Sequence, residues 1–161
     1  MNQSRSLTTS SAQISYSAAN AYSFRGGRRF SAQVPDWQWT VEDRLQELIR
    51  LENGWDGYIG QPVGFGNAVF AFRVLESICV GDTPAPSIVP GSAGDLQLEW
   101  HLPGGEIELH VRAPNDVHAW RFVTGAHPRE EALLISTDFS AVAKWLRDLT
   151  EAQLAPHAAA A

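Results

Sequence analysis

Between Leu96 and Val111 the chain alternates apolar and polar residues on both sides of Pro103-Gly104-Gly105. Leu96, Leu98, Trp100 and Leu102 alternate with Gln97, Glu99 and His101. Beyond the turn, Ile107, Leu109 and Val111 alternate with Glu106, Glu108, His110 and Arg112. Successive side chains of a strand point to opposite faces, so this pattern predicts an antiparallel hairpin with one apolar and one polar face. An apolar sheet face has to be covered, which commits the rest of the chain to supplying matching surface. Two registers keep the apolar residues together. With Pro103 to Glu106 as the loop, Leu102 pairs with Ile107, His101 lies opposite Glu108 and Glu99 opposite His110. A two-residue loop pairs Glu99 with Glu108 instead.

Helical spacing supplies the cover. Thr40 is a good N-cap with Asp43 three residues on, and Val41, Leu45, Leu48 and Ile49 then share one face up to the Asn53-Gly54 stop. Trp37 and Trp39 are expected to fold back over the start of this helix. Asn67 is expected to cap a second helix running to about Val80. Its apolar residues (Val69, Phe70, Phe72, Val74, Leu75, Ile78) surround most of the axis, which predicts a central position. A third strand follows over Val117 to Val123, and Ser87 to Val89 and Leu133 to Ile135 are candidate short strands. Thr137 or Asp138 then caps a last helix with Phe139, Val142, Trp145, Leu146 and Leu149 on one side. The prediction is an α+β fold, a three- to four-stranded antiparallel sheet packed by about three helices. Residues 36–155 form its single domain, and residues 156–161 form a frayed tail.

The net charge of −6 divides unevenly. Residues 1–35 hold Arg5, Arg25, Arg28 and Arg29 and no acid, while the remainder holds eight basic and eighteen acidic residues, a net −10. The first 35 residues read as a disordered, Ser-rich basic arm, in which Arg25, Arg28 and Arg29 are the candidates for contact with nucleic acid. The acidic remainder is a poor surface for phosphates and a good one for a basic protein partner. No run of apolar residues has the length of a membrane helix, so no membrane association is expected. Cys79 is the only cysteine, which rules out an intrachain disulfide and fits a reducing cytoplasm. Nothing in the sequence implies a cofactor or fixes an oligomeric state.

Two constellations are candidates for chemistry. Glu99, His101, Glu108 and His110 come within cross-strand reach in the hairpin, an arrangement able to hold a divalent metal or to act as an acid/base pair in a hydrolase or nuclease. Paired Glu and His on a solvated sheet face are the plainer account, and no metal site is assigned. The loop Asn53-Gly54-Trp55-Asp56-Gly57-Tyr58 is the second. There Asp56 either accepts bonds from a ligand or makes a turn, and Trp55 and Tyr58 either wall a site or pin the loop to the core. Its glycines lack the Gly-Lys-Ser/Thr ending of a phosphate loop.

Gly54-Trp55-Asp56-Gly57-Tyr58, the prolines Pro84, Pro86 and Pro90, and Gly94-Asp95-Leu96-Gln97-Leu98-Glu99-Trp100 occur in that order. Together they resemble a widespread group of small, uncharacterised proteins of bacterial genomes and mobile elements, with a Trp-Asp-Gly-Tyr-Gly loop and a Leu-Glu-Trp strand. The likeness spans residues 45 to 112, and this chain departs from it by placing Ile59 before Gly60. The resemblance implies a bacterial or phage cytoplasmic protein and carries no activity. The expectation is a non-enzymatic protein-binding module that occludes a partner in a defence, counter-defence or toxin-neutralising setting. Its expected contacts are Trp37, Trp39, Trp55, Asp56, Tyr58, Glu99, Glu106 and Glu108.

Overall fold

The alternating segments become strands of one sheet. The computed structural model describes residues 35–158, all within one compact unit. The basic arm with Arg25, Arg28 and Arg29 lies outside the described residues. Strands β1 (Ser87–Pro90), β2 (Leu96–Leu102), β3 (Gly105–Ala113), β4 (Asp116–Val123) and β5 (Arg129–Ile135) form an antiparallel sheet in chain order. Five strands stand where the sequence predicts three or four, and β5 begins well before Leu133. Arg129, Glu130 and Glu131 show no apolar alternation, but β4 holds them in the ladder. Trp120 Nε1 donates to Glu130 Oε1 at 2.7 Å, and Arg121 Nη2 donates to Glu131 Oε1 at 2.8 Å.

The β2–β3 hairpin takes the two-residue loop. Leu102 faces Gly105, His101 faces Glu106, Trp100 faces Ile107 and Glu99 faces Glu108. The pairing of His101 with Glu108 and of Glu99 with His110 is therefore not formed. The two registers differ by two residues, which leaves every side chain on its original face, so burial does not choose between them. The shorter loop, Pro103-Gly104, is the one formed, with Gly105 at φ +151° opening β3.

Three helices lie on the apolar face: α1 (Asp36–Leu48), α2 (Phe65–Ile78) and α3 (Ser140–Ala158). α1 starts one turn before Thr40. Pro35 precedes it with its φ of −57° already suited to entering a helix, and Trp37, Val41, Leu45 and Leu48 form one buried stripe. Trp37 thus extends the buried face instead of folding back over it. α2 likewise starts before Asn67. That side chain donates from Nδ2 to Gly94 O at 2.9 Å, tying the helix start to the chain entering β2. At α3 the expected cap is made, with Ser140 N–H donating to Asp138 Oδ1 at 2.9 Å. The helix runs to Ala158.

The core sits between the layers. Leu96, Leu98, Trp100, Ile107, Leu109 and Val111 of the sheet meet Val41, Leu48, Leu75, Val142 and Leu146 of the helices, all almost fully buried. Each such side chain contributes about 1.5–3 kcal/mol through burial. Arg121 lies on the same covered face, with its guanidinium 4.9 Å from the centre of the Trp145 ring and Nη1 3.7 Å from Asp148 Oδ2.

Candidate binding face

Among the described residues no helix lies over the other face of the sheet. Register places Gln97, Glu99 and His101 of β2 beside Glu106, Glu108 and His110 of β3, then His118, Trp120 and Phe122 of β4, then Glu130, Ala132 and Leu134 of β5. One row across it runs Glu99, Glu108, Trp120, Ala132, and the next runs His101, Glu106, Phe122, Glu130. Glu99, Glu106 and Glu108 therefore occupy the β2–β3 half, and the apolar groups the β4–β5 half, where Glu130 is bonded to Trp120. Trp120 and Phe122 stack with ring planes 9° apart and centroids 6.4 Å apart. Leu134, beside His118, is 77% exposed. Stacked aromatics left partly in water on a charged face are the kind of surface protein interfaces use.

Two of the three histidines on this face, His101 and His110, are held by acids. His101 Nε2 lies 3.3 Å from Glu99 Oε2 and its Nδ1 lies 3.6 Å from Glu106 Oε1. The hydrogen bond to Glu99, with the charge of Glu106 behind it, raises the pKa of His101 above its ordinary value. His110 Nε2 bonds to Asp95 Oδ2. Partial burial pushes the Asp95 carboxyl up, but the bonds from His110 and from the backbone N–H of Ala93 outweigh it and leave the pKa lowered. The Asp95 carboxylate tucks against Gly91, where a Cβ would overlap it. Glu99 and His101 are thus held in one cluster and His110 in another. Among the described residues no group of three or more His, Cys, Asp or Glu is placed to hold a metal ion.

The Trp55 to Tyr58 loop is built around Asp56. Its Oδ1 accepts the backbone N–H groups of Tyr58 and Gly60, each at 2.9 Å, and Gly54 N–H closes the loop onto Gly60 O at 2.7 Å. Trp55 donates from Nε1 to Gln61 O at 2.9 Å and is half-buried, outside the core cluster that contains Trp100. Tyr58 and Ile59 are 85% and 88% exposed, so Tyr58 does not pin the loop to the core as the turn reading required. Of the other expected contacts, Trp37 is buried at 4% exposure and out of reach of a partner, whereas Trp39 is 60% exposed. Trp120, Phe122 and Leu134 were not among the expected contacts. Their signal was present: aromatic residues stand at the polar positions of the strand Val117 to Val123.

Elsewhere the surface offers less chemistry. Two depressions of about 570 and 340 Å³ flank α2 and share Phe65, Val69 and Arg73. Their only charged groups are Arg73, Glu42 and Glu76. Burial pushes the Cys79 thiol up to about 12, which keeps it protonated and a poor nucleophile. No family model, curated protein or solved structure matches the chain.

The Asp56 loop gives a direct pH prediction. The N–H of Tyr58, then that of Gly60, hold the Asp56 carboxyl below its ordinary value of 3.8. A depressed carboxylate contributes stability above its unfolded pKa and loses that contribution as pH falls through the folded one. The amide NMR signals of Tyr58 and Gly60 are expected to move together with a midpoint below 3.8. In Asp56→Asn the titration should vanish. A midpoint at or above the ordinary value would show that the carboxylate does not hold the loop.

Proposed function

We propose that this chain is a non-enzymatic protein-binding module that occludes a basic partner with the open face of its sheet. The reading is supported most by the stacked Trp120 and Phe122, with Leu134 beyond them, on a face whose other half carries Glu99, Glu106 and Glu108. Interfaces draw most of their affinity from a few aromatic anchors, while surrounding charges set approach and orientation. The same division is laid out here, strand by strand. The net −10 of residues 36–161 attracts a basic protein and disfavours nucleic acid on this face. Trp39, exposed on α1, stands on the helix side of the sheet and is not part of this face. None of the described helices is long and apolar enough to cross a membrane. The resemblance of the loop and strand motifs implies a bacterial or phage cytoplasmic protein, and a role in defence, counter-defence or toxin neutralisation is part of the proposal.

The test begins with capture of a partner from a bacterial lysate and its identification by mass spectrometry. Against that partner, Trp120→Ala should weaken binding by about 2 kcal/mol or more, roughly thirtyfold, through faster dissociation. The double substitution Glu106→Gln and Glu108→Gln should instead slow association and flatten its dependence on salt. Binding untouched by both would place the interface elsewhere and sink the proposal.

A further inference from the structure

The two edges of the sheet differ in how they are protected. β1 is four residues long and ends in Pro90, which has no N–H. The Ile88 carbonyl in β1 accepts a hydrogen bond from Arg44 Nε at 3.2 Å. Short length, proline and a covering side chain are the usual means of closing an edge to further strands. β5 has seven residues, no proline and no lysine. Its two carboxylates do not guard it, since Glu130 turns back to Trp120 and Glu131 to Arg121. Leu133 and Leu134 remain exposed.

The ladder tells which backbone groups of β5 have no partner among the described residues. Thr124 N–H donates to Gly104 O at 3.0 Å, so Phe122, Trp120 and His118 are the β4 residues bonded to β3. Alternation turns Arg121, Ala119 and Val117 toward Glu131, Leu133 and Ile135 of β5. The N–H and C=O groups of Glu130, Ala132 and Leu134 consequently point away from the sheet.

We propose that a second copy of this chain pairs with this edge, β5 against β5 in antiparallel fashion about a two-fold axis at Ala132. The two sheets of five then become one of ten strands. Antiparallel partners share a face, so the axis must pass through a residue position, and charge selects which one. An axis at Glu130 or Glu131 sets that carboxylate against its own copy, and one at Leu134 sets Glu130 against Asp138. An axis at Leu133 leaves Arg129 and Glu130 beyond the end of the copy's strand. At Ala132 the whole of β5 is paired: Arg129 with Ile135, Glu130 with Leu134 and Glu131 with Leu133. No like charges then lie opposite, and the three outward residues bond to their counterparts. This dimer does not depend on the proposed basic partner, although it would set two copies of the Trp120 face side by side. One strand pair is a small interface, so the association is reversible on dilution.

Sedimentation velocity and native mass spectrometry of the full chain at increasing concentration test the pairing. A monomer–dimer equilibrium with nothing larger is expected, because the dimer uses both β5 edges and β1 is closed. Ala132→Pro removes the N–H at the axis, which β4 does not use, and should abolish the dimer. Should that variant fail to fold by circular dichroism, Leu134→Glu keeps the strand intact, sets a carboxylate opposite the copy's Glu130 and should raise the dimer dissociation constant about tenfold or more. A monomer at every soluble concentration, assemblies beyond the dimer, or folded variants that dimerise as the parent does would overturn the inference. None of these results bears on binding of a basic partner to the open face.

Discussion

Trp100→Ala is expected to lower the unfolding free energy by about 3–5 kcal/mol, the range for removing a large aromatic from a packed core. Trp100 is 2% exposed at the centre of β2, facing Ile107 across the ladder. Its Nε1 also donates to Pro84 O at 2.9 Å, anchoring the proline-rich approach to β1. Truncation leaves a cavity under the helices and takes away the only side-chain donor that carbonyl has among the described residues. Trp120 supplies the contrast, because it lies two strands away on the uncovered face. Trp120→Ala should cost about 1 kcal/mol or less in stability while weakening partner binding. Urea melts of the two variants measure this directly. A loss below about 1 kcal/mol for Trp100→Ala would contradict the burial described.

That contrast also marks how far the sequence carries. The period of two from Leu96 to Val111 assigned every side chain of β2 and β3 to its face, because alternation is a direct consequence of strand geometry. It left the register open, since a shift of two residues keeps the faces intact. Helix starts were set too late for a related reason. Thr40 and Asn67 are good caps in isolation, but Trp37 continues the buried stripe of α1, and the Asn67 amide gains more from joining the helix to Gly94. β5 was legible only at its apolar end. Its first half is stabilised by Arg121 and Trp120, residues of another strand that local sequence does not reveal. The same tertiary dependence hid the binding face. Trp120 and Phe122 stand at polar positions, and they matter only because all three helices pack on the opposite side. Of the two readings of the Asp56 loop the turn is the one formed, yet Tyr58 points outward and Trp55 stays out of the core.

Gly105→Ala should destabilise the fold by about 3 kcal/mol or more, combining backbone strain with a steric overlap. Gly105 has φ +151°, where residues with a Cβ are disfavoured, and that Cβ would overlap Phe122 O on β4. The residue begins β3 directly after the two-residue loop and pairs with both Leu102 and Val123. It is thus the point at which the turn, the register and the β3–β4 ladder meet. Gly125→Ala serves as the control. Its φ of +140° imposes comparable strain, but its Cβ would meet nothing within 4 Å. A loss of about 1–2 kcal/mol is expected there. The difference between the two variants in chemical denaturation isolates the overlap, and equal losses would mean that β4 yields to the added methyl. Nuclear Overhauser effects then report the register. Glu99 and Glu108 form a non-hydrogen-bonded pair, whose Cα atoms approach to about 4.5 Å, so their α-protons should show a strong cross-peak in the parent protein. The longer loop would replace it with contacts from Glu99 to His110. If Gly105→Ala retains the Glu99–Glu108 cross-peak at reduced stability, the strand pattern itself holds the register and the glycine relieves strain. If the cross-peak moves to His110, Gly105 is what selects between two registers that satisfy the core equally well.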